Sequence, residues 1–125
     1  MSLKIVIAGS RTITDYNHLL TAISRAVEEQ TITPAVSFEL VSGGAIGVDT
    51  LARRFANENN LILNEMKPIY NGPNDRGAPL RRNCDMAEYG DVLVAVWDGV
   101  SPGTKHMINE MKKRGKPIHV YKVNK

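Results

Sequence analysis

Five short apolar runs, separated by four stretches of helical periodicity, constrain the fold of this chain more than any other feature. Residues 3–8 open the series and read as a buried strand. Phe38, Leu40 and Val41 mark the end of a second strand, and Leu61 to Met66 a third. Asp91 to Val96 and Pro117 to Tyr121 complete the set. Between them, Leu19, Leu20, Ile23 and Val27 recur on one helix face, and Val48, Leu51, Ala52, Phe55 and Ala56 on another. Thr14 or Asp15 is the expected cap of the first helix, which should run to about residue 30. The second should run from Gly47 to about Asn59, the third from Leu80 to Glu88, and the fourth to about Arg114, where Gly115 stops it. Strict alternation predicts an α/β fold: a mostly parallel, five-stranded sheet with helices on both faces. At 125 residues this is one domain, 1–125, long enough for a proper core.

Ligands of such sheets bind at the carboxyl ends of the strands, near the point where strand order reverses. Three loops of small residues fall at those ends: Gly9-Ser10-Arg11, Ser42 to Gly47, and Asp98 to Thr104. In Ser42-Gly43-Gly44-Ala45-Ile46-Gly47 the glycines permit close backbone approach, and the following helix directs its first amides outward. Strand, glycine turn and helix start together suggest a phosphate cradle; the alternative is a tight strand-to-helix turn with no ligand. The long segment Tyr70 to Pro79 carries only breaker residues and is expected to be loop.

Charge and cysteine content narrow the function classes. The net charge of +3 is mild; it permits a phosphate-bearing ligand without arguing for nucleic acid. The excess sits at Arg53-Arg54, Arg81-Arg82 and a C-terminal run including Lys112, Lys113, Arg114 and Lys116, which reads as a solvated helix end. The single cysteine, Cys84, forms no internal disulfide and reads as a buried small apolar residue. The opening apolar run has neither a signal-peptide layout nor membrane length, so a cytoplasmic protein with no membrane partner is expected. His18, His106 and His119 are scattered without ligand-spaced partners, and no metal site is indicated.

Four motifs in register carry a resemblance over nearly the whole chain. They are Gly9-Ser10-Arg11-Thr12; Ser42-Gly43-Gly44-Ala45 with Gly47 and Asp49; Arg82-Asn83 with Met86; and Trp97-Asp98-Gly99 with Ser101 and Gly103-Thr104. Together they resemble the YspA-type, YpsA-related branch of the SLOG superfamily, which also includes the Lonely Guy phosphoribohydrolases and the DNA-processing protein DprA. The resemblance implies a single Rossmann-like, three-layer domain that binds a nucleotide or nucleotide-derived ligand and requires no other cofactor. It also implies self-association, most simply as a dimer. Two departures stand out. Ile46 occupies a position where many relatives carry Arg, and Pro102-Gly103-Thr104 is followed by Lys105-His106-Met107, with no acid at the Lonely Guy catalytic position. Glu110 lies further along the helix and reads as solvent-exposed.

The residues themselves leave alternatives open. Arg11 can reach a phosphate with its planar fork or form a surface salt bridge. Arg82 and Asn83 suit a phosphate plus a ribose or base edge, whereas Arg81, pointing elsewhere, reads as surface. Gly103 and Thr104 can hold an anion or simply begin a helix. Asp49 can bind a ribose hydroxyl or favour the helix dipole, and Asp98 is a candidate polar contact. Trp97 can stack on a base or cover the core. Gly43, Gly44 and Gly47 would form one backbone cradle and Gly103 with Thr104 a second, with Ser10, Ser42 and Asn83 supplying hydrogen bonds. The leading expectation is a sensor or carrier of a nucleotide-type ligand. An N-glycosidase acting on nucleoside monophosphates is the rival. Single-stranded DNA binding needs a basic stripe with stacking aromatics, and one tryptophan, four tyrosines and two phenylalanines with no interleaved basic run do not supply it. Nucleic acid is therefore not expected as a partner.

Overall fold

A computed structural model describes residues 2–123. Among them, strands and helices alternate without exception: β1 (Ser2–Gly9), α1 (Tyr16–Glu28), β2 (Ser37–Ser42), α2 (Val48–Glu58), β3 (Ile62–Glu65), α3 (Ala78–Tyr89), β4 (Val92–Trp97), α4 (Pro102–Lys113) and β5 (Ile118–Lys122). Asp15 is the cap of α1, and its carboxylate accepts from the Asn17 amide at 3.0 Å. Trp97 is the last residue of β4 rather than the first of a loop.

The sheet is wholly parallel, in the order β3-β2-β1-β4-β5. The chain steps outward from β1 to β3, then crosses back over β1 to place β4 on its other side. Right-handed crossovers in opposite directions put helices on opposite faces. Strand alternation does the rest. Ile5, Ile7, Val92, Val94 and Val96 pack against Leu19, Ala22 and Ala26 of α1 and Val48, Leu51, Ala52 and Ala56 of α2. Val6, Ala8, Val41, Leu93 and Ala95 meet Met86 and Ala87 of α3 and Met107, Ile108 and Met111 of α4. The result is a three-layer α/β domain with a core on each side of the sheet, and truncating a buried Leu such as Leu19 or Leu93 should cost about 2–5 kcal/mol.

Two basic residues expected at a solvated helix end are instead structural. Lys116 donates to the carbonyls of Ala87, Glu88 and Gly90 at 2.6–2.8 Å, which closes the end of α3. Arg114 bridges Glu88 of α3 and Glu110 of α4. Arg81 is exposed but engaged: it pairs with Asp75 and donates to the Ile69 carbonyl, pinning the long loop before α3. Among the described residues, no helix is long and apolar enough to cross a membrane.

Candidate functional site

Strand order reverses between β1 and β4, so the loops leaving those two strands diverge and open a crevice. A cavity of about 380 Å³ fills it. Four segments wall it: Gly9 to Thr12 after β1, Gly43 and Ala45 with Asp49 after β2, the start of α3, and Ser101 to Thr104 at the start of α4.

The wall beneath α4 is built by an acid facing away from the cavity. Asp98 Oδ1 accepts from the Val100 and Ser101 amides at 2.9 and 2.8 Å, and the Ser101 hydroxyl donates to Oδ2 at 2.8 Å. These amides, then the hydroxyl, hold the Asp98 carboxyl down to about 2. The Asp98 amide donates to Ser10 Oγ at 3.1 Å, which also lies 3.1 Å from Ser101 Oγ. Ser10 thus fastens the β1 loop to the β4 loop. With the Ser101 hydroxyl occupied, no side chain caps the first turn of α4. Beside that turn, a Cβ added to Gly103 would meet nothing within 4 Å. Thr104 is buried in the same wall.

The opposite wall is already charged. Arg82 donates from Nη1 to the Gly43 carbonyl at 2.9 Å and from Nε to Asn83 Oδ1 at 3.1 Å. A side chain at position 43 would overlap this guanidinium, which is the local reason for glycine there. The Ala45 amide donates to Asp49 Oδ2 at 2.9 Å. Burial pushes the Asp49 carboxyl up to about 6, against the downward pull of the Ala45 amide, Arg82 and Arg11. Burial lowers the Arg82 guanidinium from its ordinary value, and the nearby Asp49 charge opposes that. Arg11 stands exposed at the rim.

Ten of the expected residues therefore line one cavity: Gly9, Ser10, Arg11, Gly43, Asp49, Arg82, Asn83, Ser101, Gly103 and Thr104. Others lie behind it. Ser42 is fully buried at the end of β2 with no hydrogen-bond partner for its hydroxyl. Gly44 faces Glu65 and Lys67, and Gly99, at φ 88°, faces Lys122. Gly47 has φ 77°, and a Cβ there would lie about 2.5 Å from the Arg11 carbonyl oxygen, so its role is to let the β1 loop pass. Trp97 packs on the α3/α4 side of the core and donates its indole N–H to the Ser101 carbonyl at 3.0 Å. Leu80 and Met107 line the cavity without having been singled out, since each reads as ordinary helix in the linear pattern.

A polar chain behind the cavity was also missed. Asn83 Nδ2 lies 3.3 Å from the Gly103 carbonyl and 3.1 Å from His106 Nδ1; His106 Nε2 faces Glu110 at 3.6 Å. Its one legible trace was the i,i+4 spacing of His106 and Glu110 just past Gly103-Thr104. Glu110 is buried, not solvent-exposed: Lys113 and Arg114 each approach it at 2.9 Å and hold its carboxyl down to about 2. Cys84 is half-buried and donates to Glu110 Oε1 at 3.4 Å. Cys84, His106 and Glu110 converge within 4.8 Å, but a metal ion there would meet Lys113 and Arg114 on the same carboxylate.

Solved structures with a similar fold include two at under 25% identity. One is DNA processing protein A from Helicobacter pylori, described for its single-stranded DNA binding mode: 23% identity, TM-score 0.67, covering 94% of this chain and 64% of that one. The chain thus spans just under two thirds of that neighbour's length. The other is the X-ray structure of TM1055, at 18% identity and TM-score 0.63, covering 93% of this chain and 72% of that one. No curated protein matches the chain. The model of the YspA, cpYpsA-related SLOG family matches residues 3–69, from β1 through the glycine loop and α2 to the residues just past β3, and the chain belongs to that family.

Proposed function

We propose that the cavity binds a nucleotide or nucleotide-derived ligand, and that the domain acts as a sensor or carrier of it. The observation that carries this reading is the pairing of unlike groups in one cleft at the reversal of strand order. Arg11, Arg82 and the uncapped first turn of α4 suit an anionic group. Asp49, the carboxylate in the same lining, suits the hydroxyls of a ribose. A volume of about 380 Å³ lies within the range of small-molecule clefts, roughly 300–1,000 Å³. Glu110, the acid nearest in sequence to the Lonely Guy position, is held by two cations outside the cavity lining. It is therefore poorly suited to serve as a general acid or base on a bound ligand, and AMP should release little or no free base.

Mass spectrometry of small molecules that co-purify with the protein tests the reading directly. Calorimetric titration with AMP, with inorganic phosphate and with a short single-stranded oligothymidylate completes it. A nucleotide-type compound in the first experiment, or saturable AMP binding in the second, supports the proposal. Binding of the oligonucleotide alone would move the function to single-stranded DNA, and base release from AMP that is abolished by Glu110→Gln would make the protein a hydrolase.

A further inference from the structure

Both amide hydrogens of Asn83 have acceptors in place, and that sets what His106 presents to it. Asn83 Oδ1 accepts from Arg82 Nε at 3.1 Å. One amide hydrogen of Nδ2 points to the Gly103 carbonyl, an acceptor that cannot donate, and the other points to His106 Nδ1. Nδ1 must then be an unprotonated acceptor, so the ring is neutral with its proton on Nε2, facing Glu110. A proton added at Nδ1 would set an N–H against the Asn83 amide N–H. Turning the amide over relieves that conflict but creates two more: Nδ2 would face the Arg82 Nε donor, and Oδ1 would face the Gly103 carbonyl oxygen.

We infer that His106 is a positioning residue of the cavity, acting through Asn83. Its neutral ring holds the one amide orientation that keeps Arg82 against Gly43 and α3 against the first turn of α4; protonation of the ring releases both. The groups around the ring are Glu110 on its own helix, shared with Lys113 and Arg114, and Cys84 with Asn83 on α3. Because Arg82 also sits near Asp49 and Arg11, proton uptake at His106 would reach the anion-binding wall. The functional weight of this switch rests on the ligand reading above, whereas the coupling itself requires no ligand.

Nitrogen-15 NMR of the full chain, free of added ligand, tests it across about pH 8 to 5, where histidine ordinarily titrates. At high pH the His106 ring should show the Nε2–H tautomer. On acidification the Arg82 Nε–H and Asn83 side-chain amide signals should shift with the same midpoint as the His106 ring. In an Asp49→Asn background, which removes the nearby carboxyl that titrates at about 6, adding His106→Gln, whose amide oxygen can still accept from Asn83, should abolish that inflection while the protein stays folded. An Nδ1–H tautomer, or an Arg82 signal that ignores His106 protonation, overturns the inference. A second arm titrates AMP at both ends of the pH range: wild-type affinity should fall at least threefold further at low pH than that of His106→Gln, in which Asp49 and the AMP phosphate titrate as they do in the wild type. If the signals are coupled but AMP does not bind at either pH, the switch stands and the ligand reading fails.

Discussion

Two strand-to-helix loops leave the same edge of the sheet, and the glycine at the start of the helix does opposite work in the two. After β2, the loop holds Gly43, Gly44 and Gly47, yet each faces protein: Arg82, the Glu65 and Lys67 side chains, and the Arg11 backbone. Its Ala45 amide already donates to a carboxylate of the chain, Asp49. After β4, the loop is stitched from behind by Asp98; its Gly99 faces Lys122, but Gly103, in the first turn of the helix, faces open space. The loop richer in glycine is the fuller one. Glycine records that something comes close to the backbone; whether that something is ligand or protein is decided by what else packs there.

The comparison breaks most directly at its two extreme glycines. Gly47→Ala forces a side chain into a left-handed conformation and against the Arg11 backbone. It should lower stability by about 2–4 kcal/mol in denaturant unfolding. Gly103→Ala meets nothing, and in a first helical turn it should leave stability unchanged or raise it by about 0.5 kcal/mol. Equal melting of the two variants would remove the steric distinction between the loops.

A smaller effect tests whether Asp49 fills the first loop. Its folded-state pKa, about 6, lies above the ordinary 3.8, so folding favours the protonated acid. That stabilisation is complete below the unfolded value and is lost as pH rises through about 6. Asp49→Asn retains an acceptor for the Ala45 amide and cannot ionise. Between about pH 4 and 8 the wild type should therefore lose up to about 3 kcal/mol relative to the variant, at about 1.36 kcal/mol per pKa unit. Parallel stability profiles would mean that ionised Asp49 is comfortable where it sits.

The third test sharpens the picture of the shared wall. Arg82→Ala should weaken AMP binding by about 1.5–3 kcal/mol, roughly tenfold to hundredfold. It should also cost about 1 kcal/mol of stability, because the Gly43 carbonyl and Asn83 lose their partner. Arg54→Ala removes the same charge from an exposed pair with Glu58, beneath which Arg54 stacks on Tyr16. Its affinity change should stay below about threefold, since exposed charges are screened at physiological salt. Equal losses that vanish together in high salt would leave no shaped anion site around Arg82.

Hydropathy periodicity alone determined the alternation of five strands and four helices, the parallel sheet and the edge on which the loops gather. Those follow from local rules: a strand buried on both faces reads as an apolar run, a helix shows its 3.6-residue stripe, and right-handed crossovers leave few topologies. Arg82, Gly43, Asp49 and Gly103 were legible as candidates for the same reason, since each sits at a strand end or helix start. Which neighbours they face was decided only by tertiary packing. That Arg82 rests on Gly43, 39 residues away, that Asp98 serves its own loop, and that Glu110 is buried among Cys84, Lys113 and Arg114 depend on how α3 and α4 meet across one face of the sheet. A linear pattern records the chemistry that each residue carries, but a hydrogen bond needs a partner about 3 Å away, and only the fold supplies that distance.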